Sequence, residues 1–181
     1  MSNKECKSKF SLHGYITICK HFMQKVPHGR SESWFEGLFA SLFMKLSVNT
    51  IGRSDNVDDL LLRSMDWIND ALTLHFHTTK ADQTGESTSE IKRLYANPSH
   101  PEICVVPDMA IYIFRKHRTG DDDAVFLLME RIRIKDFHKE IDSTIDLGCA
   151  RVDIGTHSCR KFAESTSVSK IDGPSRTQVC L

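Results

Sequence analysis

Four side chains in this sequence have the types and surroundings to handle a phosphate. His157 and Arg160 lie three residues apart in "GTHSCRK", directly after a Gly-Thr pair. On a helix that spacing puts both on one face. A helix beginning at Gly155-Thr156 adds backbone N–H groups and the positive end of its dipole. A guanidinium offers two parallel donors to phosphoryl oxygens, and an imidazole donates a hydrogen bond or moves a proton. Taken alone, the pair also reads as the polar face of a surface helix. Arg53 follows a long apolar stretch, in "NTIGRSDN". An arginine there is paired or lines a cleft, or it meets the helix dipole as a C-terminal cation. Lys80, in "HTTKADQTGE", sits in a turn. There it is either a general acid aimed at a leaving oxygen or a solvated surface lysine.

Two further groupings carry less. His75 and His77 fall on one strand face, but a metal needs more than two ligands and no third is evident. The acidic run Asp121–Asp123 reads as a solvated loop. A phosphohydrolase built on His157 and that loop would need metal carboxylates in a recognisable spacing, which the sequence does not contain.

The elements that must position these residues follow from periodicity and punctuation. "LHGYITICKHFMQKV" (12–26) repeats apolar residues at three-four spacing and predicts an amphipathic helix. Pro27 and Gly29 break it. "WFEGLFASLFMKLSVNTIGR" predicts a buried helix ending near Gly52. "SDNVDDLLLRSMDW" opens with a capping run and predicts a second, shorter helix or turn through Val57, Leu60, Leu61 and Met65. Leu72, Leu74 and Phe76 then alternate with Thr73, His75 and His77, a half-buried strand running into a turn at 80–86. "IKRLYANP" is its return strand, which puts Lys80 near a hairpin tip. "PEICVVPDMAIYIFRKHR" predicts a helix starting near Pro107. "AVFLLMERIRIKDFHKEIDSTIDLG" reads as an apolar strand or short helix followed by an amphipathic helix. "GTHSCRKFAESTSVSKIDG" reads as a helix ending at Gly173-Pro174. The expected fold class is α+β: mainly helical, with a small antiparallel β-hairpin or three-stranded sheet packed on the helices.

Composition sets outer limits. The 181 residues suffice for one globular domain with a core. The 24 basic residues cancel the 24 acidic ones, so net charge argues neither for nor against a polyanionic partner. The six cysteines form no CxxC pair, the first residues are polar, and no apolar run reaches a membrane span. The expectation is an intracellular protein with reduced, mostly buried thiols and no membrane association.

Taken in order, an Arg after a buried helix, a Lys on a hairpin and HxxR opening a late helix resemble the catalytic domain of the tyrosine recombinases (phage-integrase-like enzymes). The wording of "NTIGRSDNV", "NDALTLHFHTTKADQTGE", "YANPSHPEICVVPDMAIYIF" and "GTHSCRK", with "GPSRTQVCL" trailing, looks most like the recombinases of crypton-type mobile elements. The resemblance covers most of 34–181. It implies a recombinase-like domain there, with 1–33 as an N-terminal helix left from a core-binding arm. It implies double-stranded DNA as partner, homo-oligomers on DNA, nuclear localisation, and no metal or other cofactor. In that family two arginines, a lysine and His-or-Trp positions surround a scissile phosphate that a tyrosine attacks. Arg53 matches the first arginine, Lys80 the hairpin lysine that protonates the leaving 5′-oxygen, and His157 with Arg160 the HxxR pair. Two guanidiniums would answer the charge of the pentacoordinate transition state, and a tyrosine ester would conserve bond energy for religation.

The sequence departs from the pattern in three places. Asn56 stands where the family often carries an acid, with Asp55 beside it. "RKFAESTS" is more polar than a buried helix should be. The tyrosines are Tyr15, Tyr95 and Tyr112, and none follows His157. The expectation is therefore a copy truncated before its nucleophile, which binds DNA without cleaving it. The competing expectation is a non-catalytic helical interaction module with an exposed apolar groove.

Overall fold

The computed structural model describes residues 11–24, 32–76, 90–115, 123–126 and 154–168. Five helices and three strands account for most of them: α1 (Leu12–Gln24), α2 (Glu32–Thr50), α3 (Ser54–Asp58), β1 (Met65–Ile68), β2 (Ala71–Phe76), β3 (Glu90–Tyr95), α4 (Val105–Arg115) and α5 (Thr156–Val168). The fold is mainly helical with one small antiparallel sheet, as the sequence predicts. Among the described residues no helix is long and apolar enough to cross a membrane.

The centre of the molecule is α2. Leu38, Phe39, Ala40, Leu42, Phe43, Met44 and Leu46 are all buried. They point in every direction around the helix, so it has no solvent face and must be enclosed. The helices α1, α4 and α5 enclose it, and α3 and β3 also pack against it. The α1 contribution is the stripe Tyr15, Ile18, Cys19 and Phe22; the amphipathic helix is as expected, but Leu12 and Met23, on the apolar spacing, are exposed and Ile18 is buried instead. Between α2 and α4 an aromatic cluster closes around Phe126. Phe39 meets its ring edge-on at 5.5 Å, and Tyr112 lies at 5.6 Å. Phe35 stacks on the other face of the cluster, 5.3 Å from Tyr112.

The same interface holds a buried ion pair. Lys45 Nζ lies 2.8 Å from Asp108 Oδ2, with both side chains almost wholly removed from water. The contact has the distance of an ion pair without the alignment of a hydrogen bond. Ser41 Oγ supplies the aligned donor, 2.5 Å from the same carboxylate oxygen.

The sheet order is β1-β2-β3, all antiparallel. Leu72, Leu74 and Leu94 turn inward from β2 and β3 and are buried. On the other face Ile68, Ile91 and Tyr95 are exposed. The expected hairpin is β2 and β3, in a register pairing Ala71 with Tyr95 and Phe76 with Glu90. Its turn at 80–86, with Lys80, lies outside the described residues.

The 54–67 stretch differs from expectation. It gives a five-residue α3, a 3-10 turn at Leu62–Ser64, and then β1, which starts at Met65. The spacing places Met65 on a helix or turn. It pairs with Leu74, and Ile68 meets Ala71 across the two-residue loop Asn69-Asp70. Asn69 takes a left-handed conformation, φ 56°, which asparagine accepts more readily than most residues. Cross-strand pairing here outweighs the helical spacing of 57, 60, 61 and 65.

Two smaller adjustments follow. The helix expected near Pro107 begins at Val105; Pro107 stays within the first turn, where no helical N–H is required. Asp123, expected in a solvated loop, ties a strand-like segment to the 3-10 turn. Its Oδ1 accepts the Arg63 N–H at 3.0 Å, and its Oδ2 lies 3.1 Å from Arg63 Nη1. The stretch 127–148 and the C-terminal end of the 155–173 helix lie outside the described residues, as do 1–10 and 169–181.

Candidate functional site

Arg53 is exposed, as a reaching cation must be. The local chain explains why. Thr50 closes α2 by donating its hydroxyl to Leu46 O at 2.8 Å and accepting the Gly52 N–H at 3.0 Å. Ile51, next in line, has φ 54°. That is the left-handed position where helices usually place Gly or Asn, and for a β-branched residue it is strained. Gly52 then fits where a side chain would not: a Cβ would come within 2.6 Å of Thr50 Oγ1 and 3.1 Å of Val57 Cγ2. This tight corner turns the chain out of the core and leaves Arg53 as the residue preceding α3, its carbonyl accepting the Val57 N–H at 3.2 Å. The cation therefore neither sits in the core nor caps α2. It stands on the surface, held from behind by a specified corner.

One helical turn beyond Arg53, Asn56 lines a cavity of about 300 Å³. Asp59, Leu60, Leu61 and Ser64 continue that wall, and His75 and Phe76 from the end of β2 form the other. The cavity thus lies between the element that carries Arg53 and the strand that leads toward Lys80. Lys80 itself lies outside the described residues, as does His77. His75 Nε2 faces Asp66 Oδ2 across the β1–β2 pairing at 3.5 Å. Sequence reasoning raised His75 only as half of a metal pair. Its place on the cavity wall follows from the packing of β2 against the 3-10 turn at Leu62–Ser64, for which spacing along the chain gives no signal.

The HxxR pair is on one face of α5, as its spacing predicts. Ser158, Cys159, Phe162 and Ala163 are buried, and Phe162 packs against Tyr15 of α1 at 4.9 Å between ring centroids. The helix is thus anchored although "RKFAESTS" is polar: four apolar or small residues on one side are enough. His157 is exposed on the opposite side. Arg160 is three-quarters covered, and its Nε lies 2.6 Å from Glu164 Oε1, with side-chain exposures of 23% and 26%. The helix start differs in part from expectation. Ser158 Oγ accepts the Gly155 N–H at 3.1 Å, so the helix caps that donor with its own side chain. Both α3 and α5 pack on α2, so the two arginines are carried by neighbours of one central helix.

Of the three tyrosines, Tyr15 and Tyr112 are buried in the core, and Tyr95 is exposed on β3. Burial pushes the Tyr15 hydroxyl well above its usual range, reinforced by the thiols of Cys19 and Cys159. It is a packing residue of the core.

The sequence matches no protein-family model and no curated protein. The fold does have counterparts. The site-specific recombinase XerH, in a pre-cleavage complex bound to its difH substrate, superposes with a TM-score of 0.65 at 13% identity over 99% of this chain. The post-cleavage complex of XerH with a palindromic difH substrate gives 0.63 at 15% identity, again over 99% of this chain. The fold is similar to that of a tyrosine recombinase catalytic domain. This chain spans about half the length of those recombinases, 51% and 47%.

Proposed function

We propose that this protein is a DNA-binding member of the tyrosine recombinase group, of the crypton-like kind, in which Arg53, Lys80, His157 and Arg160 share one backbone phosphate. The observation that carries the proposal is the emplacement of Arg53. A strained corner presents it in solvent directly before α3, whose Asn56 lines a cavity shared with the end of β2, the strand leading to Lys80, within a recombinase-like fold. The 181 residues would hold a phosphodiester and polarise it through two guanidiniums. Of the three tyrosines of these residues, Tyr15 and Tyr112 serve as core packing residues. Assembly as a homo-oligomer on DNA and nuclear localisation belong to the same proposal.

The test is binding to a fluorescent duplex of about 30 base pairs, across a salt series from roughly 50 to 200 mM. Expected are a steep fall of affinity with salt, and a slope reduced by about one unit each in R53A and R160A. No binding at low salt would overturn the proposal. It would favour the helical interaction module instead, a reading that Phe114 supports by standing 88% exposed on α4 next to Ile111, 47% exposed.

A further inference from the structure

Resting on the phosphate-binding reading of Arg160 above, we infer that Glu164 is a positioning residue that fixes the Arg160 guanidinium for a DNA phosphate. The contact is specific in atoms: the Nε–H of Arg160 donates to Glu164 Oε1 at 2.6 Å. A charge-assisted bond of that length is among the stronger kinds. A guanidinium has five N–H donors. Engaging Nε fixes the plane of the group and leaves the two terminal nitrogens as a fork for two phosphoryl oxygens. His157 lies one turn earlier on the same strip of α5, so the fork and the imidazole are presented together.

Helix stability alone gives little reason for the pair. Exposed i,i+4 ion pairs contribute little, and Arg preceding Glu is the less favourable order along a helix. This pair is also three-quarters covered on both sides, where desolvation costs more than on an open surface. Prior ordering has a use at a binding site. A long side chain that is already fixed gives up less freedom when its ligand arrives. Glu164 nevertheless carries a negative charge toward a polyanion. Orientation and simple repulsion therefore predict opposite signs on removal, which makes the inference decidable.

The experiment is the same duplex titration on the full chain with E164A, E164Q, R160A and R160A/E164A, each checked for native helicity by circular dichroism. A positioning role predicts about 3- to 10-fold weaker binding for E164A, the scale of immobilising one long side chain. The salt slope should fall by about one, as one phosphate contact is lost. E164Q should bind within about twofold of wild type or tighter, because its amide oxygen still accepts the Nε–H. The double variant should bind no more weakly than R160A, since Glu164 acts through Arg160. Wild-type or tighter binding by E164A, with R160A weakened, would overturn this inference and leave the phosphate reading standing. Wild-type binding by R160A, or no binding by the wild type, would overturn both.

Discussion

The Lys45–Asp108 pair offers a direct test of how this core is held together. Replacing Asp108 with Leu would leave the Lys45 ammonium buried with its counter-charge gone. Breaking a buried pair from one side costs about 3–5 kcal/mol. Ser41 would also lose the acceptor of its hydroxyl, an effect of about 1 kcal/mol or more. Replacing Lys45 with Met would strand the carboxylate in the same way, softened by Ser41, which still donates to it. Removing both at once, in K45M/D108L, abolishes the two desolvation costs together. Such replacements are often neutral or stabilising.

The expectation is therefore a strongly non-additive cycle. Two single variants would each lose about 3–5 kcal/mol, while the double variant stays within roughly 1–2 kcal/mol of wild type. Domains of this size are stable by about 5–15 kcal/mol, so either single change would remove a large share. Urea unfolding followed by circular dichroism, with the slope checked for constancy, measures all four species. Single variants costing under about 1 kcal/mol would show that water reaches the pair. Additive losses would show that the two groups do not act as a pair. Either result would refute the description of the α2–α4 interface given above.

Other expectations are as direct. Truncating Phe126 to Ala empties the space enclosed by Phe39, Phe43 and Tyr112 and should cost about 3–5 kcal/mol in urea unfolding. Gly52→Ala drives a Cβ against Thr50 Oγ1 and should cost about 1–3 kcal/mol, while Ile51→Gly relieves the left-handed strain and should stabilise by about 1 kcal/mol; DNA titration of the two variants would report how far the corner sets Arg53. Burial pushes the Cys19 thiol up to about 12 from 9.0 and the Cys159 thiol further in the same direction. Because the unfolded thiols ionise first, their contribution is intact below pH 9 and is lost as pH rises from 9 toward 12, by up to about 1.4 kcal/mol per pH unit for each. Urea midpoints between pH 8 and 11 should fall accordingly, and less steeply in C19A/C159A; parallel pH profiles would contradict it.

What the sequence made legible was whatever depends on local periodicity. The all-round apolar character of 34–50 could only be an enclosed helix, and α2 is enclosed. The alternation of Leu72, Leu74 and Phe76 marked a strand, and "IKRLYANP" supplied its partner; the strand is not half-buried, because as the central strand it also covers Ala71 and Thr73 on its other face. β1 was missed because "RSMDW" fits a helical spacing with Val57 and Leu60 as well as it fits a strand; only the pairing of Met65 with Leu74 decides it. The buried ion pair was missed for a related reason. Nothing local marks Lys45 for a partner, and that partner, Asp108, lies 63 residues away. Asp123 read as loop for the same cause: the Arg63 it ties is 60 residues off.

The candidate site divides along the same line. His157 and Arg160 share a face because both sit on one helix, and the spacing said so. Glu164 was also within reach of that reasoning, since i,i+4 is a helical contact distance; the stretch "RKFAESTS" stands out in the sequence only as too polar for a buried helix. Arg53 is the instructive case. A cation at the end of a buried helix suggested a paired, cleft-lining or dipole-bound group, and it is exposed. The signal for that was the residue before it and not the arginine itself. A helix that ends "NTIGR" has Ile51 where Gly would be comfortable and Gly52 one position later, so the chain must force a left-handed isoleucine to make its corner. Strain of that kind persists only where the surroundings over-determine it. Here Thr50 bonds on both sides of the corner, and Val57 closes over Gly52. A more relaxed corner was available to this sequence by a single exchange of Ile51 for Gly. Keeping the rigid one fixes where Arg53 emerges, three residues before Asn56, which lines the 300 Å³ cavity.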